Sequence, residues 1–220
     1  MNRMNRERSP VHCEQEILEG LRRTLPNVDA VIIADQVDED DCGVITHTLR
    51  SMLADLAEGF PEVIFWVDSR RRIGRFRSMI LKPNAVEAVA AAMPDYRGPT
   101  DDDTVFKAGE ILRERSGRPV FVTRSERGIA VFDQAGRTEV HGVPLEGALD
   151  PTGAGDSATA AAVLGLASGS SSSEAALLAN LVGSITVQQL GTTGRAGIDQ
   201  LPERLELWRG GRPQFRGEKR

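Results

Sequence analysis

A chain of 220 residues with a formal net charge of −5 can build one α/β domain around a sizeable core, and its acidic balance argues against general binding to nucleic acids or anionic membranes. Two cysteines and three histidines, none of them at metal-ligand spacing, argue against a disulfide framework and a zinc site. The sequence has neither a membrane-length apolar run nor the apolar core of a signal peptide, so we expect a cytoplasmic protein.

The first part of the chain alternates between helical and strand patterns. Apolar residues recur at helical spacing in residues 13–25 and again along 41–59. Between them, the nearly continuous apolar run 28–35 predicts a strand that is covered on both faces. Two more buried strands are expected, at 62–69 and at 78–84.

The second part of the chain has a different pattern of predicted elements. Helices are predicted over 85–93 and 103–117, and residues 119–143 then offer short strands separated by turns, which indicates a β-hairpin or meander. Helices at 155–169 and 172–191 close the domain. The whole order is typical of an α/β fold with a mainly parallel sheet flanked by helices.

This organisation divides the chain into three regions. Residues 1–27 form a polar start and a first helix, and residues 28–200 form the α/β domain. Residues 201–220 are interpreted as a basic, solvated tail.

The segment "DPTGAGD" places a glycine-rich turn directly before an apolar helix. Gly153, Ala154 and Gly155 let the backbone approach a ligand closely, and the free N–H groups at the helix start suit an anion such as a phosphoryl group. Asp156 beside these donors has two interpretations. It either caps the helix or accepts the proton of an incoming hydroxyl during phosphoryl transfer.

The longer segment "DPTGAGDSATAA" resembles the C-terminal signature of the PfkB/ribokinase family of sugar kinases, D-x-x-G-A-G-D followed by a helix of small residues. The resemblance implies a ribokinase-like fold in which Asp156 is the general base. It implies that the anion hole is formed by the amides of Gly153, Ala154 and Gly155. It also implies that Asp150 and Thr152 help to hold a monovalent cation such as potassium.

A second segment, "LKPNAVE", resembles the family's K-P-N-x-x-E at a strand end. By this resemblance Asn84 and Glu87 organise magnesium and the phosphates of ATP, often through water, as is usual for this ion. The same spacing is that of a capping box at a helix start, and this interpretation stays open beside the first.

A third segment, "VFVTRSERGIAVF", resembles the family's strand–turn–strand at the nucleotide site, normally T-x-G-x-x-G. Thr123 and Gly128 match this pattern, whereas Ser125 stands where glycine is usual. Arg124 and Arg127 either meet phosphate or lie on an exposed hairpin.

Two further segments resemble elements of the family's cleft. In "ALLANLVGSITVQQLGTTG" the resemblance places Asn180 near the adenine and Gly191 near the cation, although residues 192–194 equally suit a turn that ends the helix. In "VDSR", Asp68 and Arg70 are candidates at a strand end that faces the cleft, or simple turn residues.

The resemblance extends from about Val28 to about Gly194. Full members of the family begin with further strands that carry the sugar-binding residues, a di-glycine motif and a β lid. We therefore interpret the chain as the C-terminal, nucleotide-binding portion of a sugar kinase without those strands and lid, closest in type to the heptose-phosphate kinase branch. A sheet without its first strands exposes an unpaired edge, so we expect a homo-oligomer or a complementing N-terminal chain.

The leading functional hypothesis is an ATP-dependent carbohydrate kinase. In it, magnesium-bound ATP donates its γ-phosphate to a hydroxyl of a sugar or sugar phosphate, and Asp156 accepts the proton. The alternative is a nucleotide-binding module with impaired catalysis and no sugar site of its own, or a subunit that completes its sheet with another chain.

Overall fold

The computed structural model describes residues 7–211, in which helices pack on both faces of one six-stranded sheet. The strands are β1 (Ala30–Asp35), β2 (Ile64–Ser69), β3 (Ile80–Leu81), β4 (Val120–Thr123), β5 (Ile129–Asp133) and β6 (Gly136–Val140). The helices are α1 (Val11–Thr24), α2 (His47–Gly59), α3 (Ala85–Ala92), α4 (Asp102–Ser116), α5 (Ala154–Ala167), α6 (Ser172–Thr186) and α7 (Leu201–Gly210). No helix within residues 7–211 has the length and apolarity needed to cross a membrane.

The strands lie in the sheet in chain order. β1, β2, β3 and β4 are parallel neighbours, and β4, β5 and β6 form an antiparallel meander. Helices make the crossovers between most of the parallel strands, because parallel neighbours cannot be joined by a tight turn. The predicted α/β fold, with a mainly parallel sheet and a meander, is confirmed.

The alternation of side chains along β2 connects the two halves of the core. Phe65 and Val67 join the apolar cluster under α1 to α4, whereas Trp66 joins the cluster under α5 and α6. The indole N–H of Trp66 donates to the Thr159 hydroxyl of α5 at 3.2 Å. This buried bond fixes α5 over the middle of the sheet and so fixes where its first turn lies.

Strand β1 differs from its prediction. Its sequence suggested a strand covered on both faces, but Ile32 is 49% exposed and Ala34 is also exposed. The prediction is wrong because β1 lies at the edge of the sheet. α5 packs over β2, its neighbour, rather than reaching across β1.

Two other boundaries also change. The helix predicted over 41–59 begins only at His47, because Gly43 has a φ of 88° and Thr46 caps the first turn. The tail predicted over 201–220 contains helix α7, so its first half is not a tail. The rest of that prediction, residues 212–220, lies outside the described residues, as do residues 1–6 of the predicted polar start.

A buried ion pair holds the carboxyl ends of β1 and β2 together. The guanidinium of Arg72 donates to both carboxylate oxygens of Asp35, at 2.9 and 3.1 Å, and both side chains are 2% exposed. Ser69 donates its hydroxyl to the same carboxylate at 2.7 Å. Hydrogen bonding to Asp35 raises the pKa of Arg72, so the guanidinium stays charged. This pair was not among the residues predicted from the sequence.

Candidate active site

Helix α5 begins at a glycine turn that requires glycine. Gly153, its N-cap residue, has a φ of 76°, and a Cβ there would lie 2.9 Å from the Cβ of Thr193. The N–H of Ala154 donates to Pro151 at 3.0 Å, which removes it from the predicted anion hole. Gly155 and Asp156 follow in the first turn of α5, where N–H groups have no partner within the helix and are left for a ligand.

The position of Asp156 bears on the capping interpretation of this residue. It lies in the first turn of α5, while the N-cap is Gly153 and no side chain caps the helix. Asp156 is exposed, and its carboxylate has no capping role in this structure. A carboxylate at this place is free to accept a proton from a bound hydroxyl.

Asp150 ties the glycine turn to the loop after α6. Its carboxylate accepts the N–H of Thr152 and the N–H of Gly191, each at 2.9 Å, and its own N–H donates to Val187 at 2.7 Å. Hydrogen bonds from the side chain and backbone of Thr152, and then from Gly191, lower the pKa of Asp150. The three residues that sequence analysis assigned to a monovalent cation site therefore lie together.

Asn84 and Glu87 form the capping box of α3. The Asn84 side chain accepts the Glu87 N–H at 2.9 Å, and a Glu87 carboxylate oxygen accepts the Asn84 N–H at 2.9 Å. Burial raises the pKa of Glu87, against the lowering effects of the Asn84 N–H and of the charge on Lys82. The box engages one carboxylate oxygen of Glu87, so the capping and metal-binding interpretations do not exclude each other.

The ends of β2 and β3 bring an ion pair, between buried Lys82 and partly buried Asp68, under the start of α5. The ammonium of Lys82 lies 2.8 Å from an Asp68 carboxylate oxygen. A Cβ on Gly155 would lie 3.6 Å from this ammonium and 4.0 Å from the Asp68 oxygen. The charges of Lys82, Asp68 and Arg70 also act on the Glu87 carboxyl. Asp68 was among the predicted site residues and Lys82 was not, although a lysine at the end of a buried parallel strand was a usable signal.

The segment predicted to border the nucleotide, "VFVTRSERGIAVF", lies beside the capping box. Thr123 pairs with Asn84 in a parallel bridge, and its N–H donates to Pro83 at 3.0 Å. A Cβ on Gly128 would lie 2.2 Å from the carbonyl oxygen of Val140, so this position excludes any side chain. Ser125 has a φ of 53°, the left-handed conformation that the family's glycine would adopt without strain.

We expect Ser125→Gly to stabilise the fold. Removing the side chain relieves a left-handed conformation, which costs an L-residue about 1–2 kcal/mol. Glycine offsets about 0.5–1 kcal/mol of this gain, because it has greater freedom in the unfolded chain. The free energy of unfolding, measured by urea titration, should rise by about 0.5 kcal/mol. Ser125→Ala is the control and should bring no gain, because it keeps the Cβ; a Ser125→Gly variant less stable than the parent would contradict the strain.

The two arginines of this segment are engaged by acidic partners. Arg124 is buried and lies 3.0 Å from the Glu139 carboxylate and 3.2 Å from that of Asp102. Arg127 lies 2.6 Å from the same Asp102 oxygen. Arg124 is thus neither an exposed hairpin residue nor a free phosphate ligand, and Arg127 shares its partner.

Asn180 connects α6 to the end of the meander. Its amide donates to the carbonyl oxygens of Val140 and His141 at 2.9 and 3.0 Å, and Trp208 of α7 donates to His141 at 2.9 Å. These hydrogen bonds position β6. The contact with adenine assigned to Asn180 stays a prediction.

The oxygen atoms of Glu87 and Asn84 suit a magnesium ion that keeps most of its water ligands. Within residues 7–211 no three His, Cys, Asp or Glu side chains are grouped so that they could hold a metal ion. Magnesium bound with nucleotide phosphates needs only one or two protein carboxylates. Glu87, partly engaged in its capping box, and the amide oxygen of Asn84 fit this requirement.

Comparison with known proteins places the chain in one family. The model of the pfkB family carbohydrate kinases matches residues 24–197. The chain is 32% identical over 215 residues to the bifunctional protein HldE of Syntrophotalea carbinolica, and 29% identical over 182 residues to that of Pectobacterium atrosepticum. These alignments cover 93% and 81% of this chain but 41% and 36% of the relatives, so the chain spans about two fifths of their length.

Solved structures show the same fold. Phosphofructokinase-2 from Escherichia coli, in a complex with potassium, superposes with a TM-score of 0.70 at 20% identity over 88% of this chain and 62% of the other. Ribokinase from Thermotoga maritima superposes with a TM-score of 0.64 at 20% identity, over 84% of this chain and 59% of the other. The fold is therefore ribokinase-like.

Proposed function

Because the chain belongs to the pfkB family of carbohydrate kinases, we propose that it catalyses ATP-dependent phosphoryl transfer to a hydroxyl of a sugar or sugar phosphate. One observation carries this proposal: the exposed Asp156 lies beside the first free N–H groups of α5, above the ends of β2 and β3. Phosphoryl transfer requires positioning, charge stabilisation and a proton acceptor, and this place offers all three.

Each group at the start of α5 has a role in the transfer. Asp156 accepts the proton of the sugar hydroxyl as its oxygen attacks the γ-phosphorus, and the bond to the bridging oxygen breaks to release ADP. The N–H groups of Gly155 and Asp156 donate to the oxygens of the phosphoryl group. Gly153 keeps the turn close enough for this approach.

The neighbouring segments suit the nucleotide and the cations. Glu87 and Asn84 would hold magnesium, partly through water, and the ion would supply positive charge that neutralises the phosphates. Asp150 and Thr152, joined to Gly191, hold a monovalent cation such as potassium; the potassium complex of the Escherichia coli neighbour supports this assignment. The nucleotide itself is bordered by Thr123, Ser125, Gly128 and Asn180.

The choice of acceptor follows from the branch of the family, which we propose is that of the heptose-phosphate kinases. The similarity to proteins named HldE supports this branch, which the sequence had already suggested. A sugar phosphate, rather than a free sugar, is therefore the first acceptor to test.

A second candidate function is a nucleotide-binding module that does not catalyse transfer by itself. Gly155 and Asp156 are both exposed, so water reaches the place where the phosphoryl group would move. This openness favours a module that needs a further chain to complete its site.

One pair of measurements separates the two functions. Calorimetry gives the affinity for Mg·ATP, and a coupled assay for ADP gives transfer to a panel of sugars and sugar phosphates. We expect binding, and transfer to at least one sugar phosphate above the rate of ATP hydrolysis in water alone. Binding without transfer favours the module, whereas a chain that binds no nucleotide contradicts both functions.

The open edge of β1 is proposed as the place where another chain pairs, either a second copy or a complementing N-terminal chain. Within residues 7–211, β1 pairs only with β2, and Ile32 is exposed on its face. We expect light scattering to show self-association, or heterodimers once an N-terminal chain is added, and Ile32→Lys to weaken either one. Ile198→Lys is the control, since Ile198 is 85% exposed and lies outside the sheet; equal effects of both variants would contradict the edge model.

A further inference from the structure

Arg50 of α2 is a buried arginine that none of the roles above uses. It is 5% exposed, and its Nε is buried without a hydrogen-bond partner. Among residues 7–211, no carboxylate lies within 4 Å of its guanidinium. A guanidinium carries five N–H donors and keeps its charge in proteins. Because a buried charge without acceptors is costly, Arg50 lacks a partner that its chemistry requires.

The guanidinium of Arg50 faces the segment that follows β2. It lies over the ring of Phe76, 5.3 Å from the ring centroid, and Phe76 directly follows the turn Ile73–Arg75. The face of an aromatic ring attracts a cation but cannot accept hydrogen bonds from five N–H groups. Burial accordingly lowers the pKa of Arg50, and the nearby Asp35 carboxyl group opposes this effect only in part.

The charges around Arg50 do not balance. Those that act on it most strongly belong to Asp35, Asp40, Arg72 and Arg75. Together with Arg50 these are three guanidiniums and two carboxyl groups, so this set, the Arg50 cluster, has an excess of at least one positive charge. Asp35 accepts from Arg72 on both oxygens, and one Asp40 oxygen lies 3.2 Å from Arg72 and 3.2 Å from Arg75. Both acids are thus engaged, and Arg50 is the member without an anion.

The Arg50 cluster opens to solvent at Arg75. The side chains of Arg75 and Asp40 are 58% and 63% exposed. Arg75 contacts Asp40 through its Nη1, so its Nε and Nη2 keep donors for a ligand. The charge of Arg75 also acts on Arg50, so an anion that arrives from solvent at Arg75 is attracted by both guanidiniums.

The unused donors of the Arg50 cluster suit an oxyanion with several oxygens. A phosphate group offers three strong acceptor oxygens, against two for a carboxylate, and so can accept from two guanidiniums at once. The planar fork of arginine also matches the geometry of phosphate. Asp35, the last residue of β1, places the cluster at the carboxyl ends of the parallel strands, the edge at which such sheets usually bind ligands.

We propose that Arg50 and Arg75 form a binding site for a phosphate-type oxyanion, between α2 and the turn Ile73–Arg75. The anion is free phosphate or the phosphate group of a small molecule, since both present the same oxygens. It neutralises the excess charge of the cluster and connects α2 to the segment after β2. This inference goes beyond the proposed function, because it uses none of the residues assigned there to phosphoryl transfer, to the nucleotide or to cations.

Thermal unfolding of the full chain tests this site. We would titrate inorganic phosphate into the parent, Arg50→Met and Arg22→Met, with chloride at equal ionic strength and pH as the reference. Phosphate should raise the unfolding temperature of the parent, because it binds the folded chain alone. Arg50→Met should weaken the affinity for phosphate by about tenfold or more, as for the loss of hydrogen bonds between charged groups. Arg22 is exposed on α1, so Arg22→Met should respond as the parent does.

A second pair of variants does not change a buried side chain. Arg75→Met should also weaken phosphate binding, because it removes the exposed half of the site. Arg71→Met is its matched control: Arg71 is likewise more than half exposed and likewise lies 3.2 Å from one aspartate, Asp38. Phosphate that stabilises the parent no more than chloride does, or as much in Arg75→Met as in the parent, would overturn the site. Equal weakening in Arg71→Met and Arg75→Met would overturn it as well, since it would show a general effect of surface charge.

A comparison of ligands identifies the source of the anion. Affinities of the parent and Arg75→Met are measured for inorganic phosphate, for a sugar phosphate and for the corresponding free sugar. A sugar phosphate that the parent binds more tightly than either of the others, with the advantage lost in Arg75→Met, supports a phosphorylated small molecule as the ligand. Equal affinity for the sugar phosphate and inorganic phosphate supports the free anion. None of these measurements needs ATP or transfer, so a failed kinase assay would leave the site standing, and a failed phosphate titration would leave the kinase proposal standing.

Discussion

Asp156→Asn is expected to lower the rate of phosphoryl transfer by about 10²–10⁴-fold, the usual range for the loss of a positioned general base. Asparagine keeps the size and shape of the side chain but cannot accept the proton of the attacking hydroxyl. Because Asp156 is exposed and does not cap α5, its replacement should leave the fold intact. The affinity for Mg·ATP should stay close to that of the parent, or rise slightly with the loss of a negative charge.

The control for Asp156 is another exposed aspartate in the first turn of a helix. Asp103 is exposed in the first turn of α4, so Asp103→Asn repeats the change in helix-dipole interaction without touching the candidate site. Transfer should be measured for both variants at saturating Mg·ATP with the best acceptor of the panel. Equal rates for the parent and Asp156→Asn would show that the base is another group.

The sheet was predictable from the sequence because a buried parallel strand needs apolar side chains on both faces. Residues 62–69 meet that condition, and β2 lies within them at Ile64–Ser69. The run 28–35 looks the same but forms an edge strand with Ile32 exposed. The apolar composition of a strand shows which faces it can bury. Whether both faces are buried depends on the place of the strand in the sheet and on the elements that cover it there.

The parts of the site carried by one segment were also predictable, and the parts between segments were not. The Asn84–Glu87 box and the Gly153 turn follow from local spacing. The pairing of Lys82 with Asp68 depends on β2 and β3 lying side by side. No spacing in the chain encodes that distance, so only the folded sheet shows it.

The ion pair between Asp35 and Arg72 also joins separate segments, so sequence spacing does not predict it. This pair affects the position of the candidate site. Asp35 ends β1, and it accepts from both Arg72 and the hydroxyl of Ser69, the last residue of β2. Ser69 directly follows Asp68, which contacts Lys82. The buried pair therefore fixes the strand end that carries part of the candidate site.

Arg72→Met should lower the free energy of unfolding by about 3–5 kcal/mol, because it leaves the carboxylate of Asp35 buried without its bidentate partner. The neighbouring Arg71→Met is the control. Arg71 pairs with Asp38 at 3.2 Å, but both side chains are more than half exposed, so its loss should cost at most about 1 kcal/mol. Urea titration of both variants measures the difference.

A double variant shows whether the loss comes from an uncompensated charge or from lost packing. Asp35→Leu combined with Arg72→Met removes both charges, and it should recover part of the stability lost in Arg72→Met alone. If Arg72→Met were no more destabilising than Arg71→Met, the pair would not hold the ends of β1 and β2. Asp68 and Lys82 would then owe their positions to the packing of β2 and β3 alone.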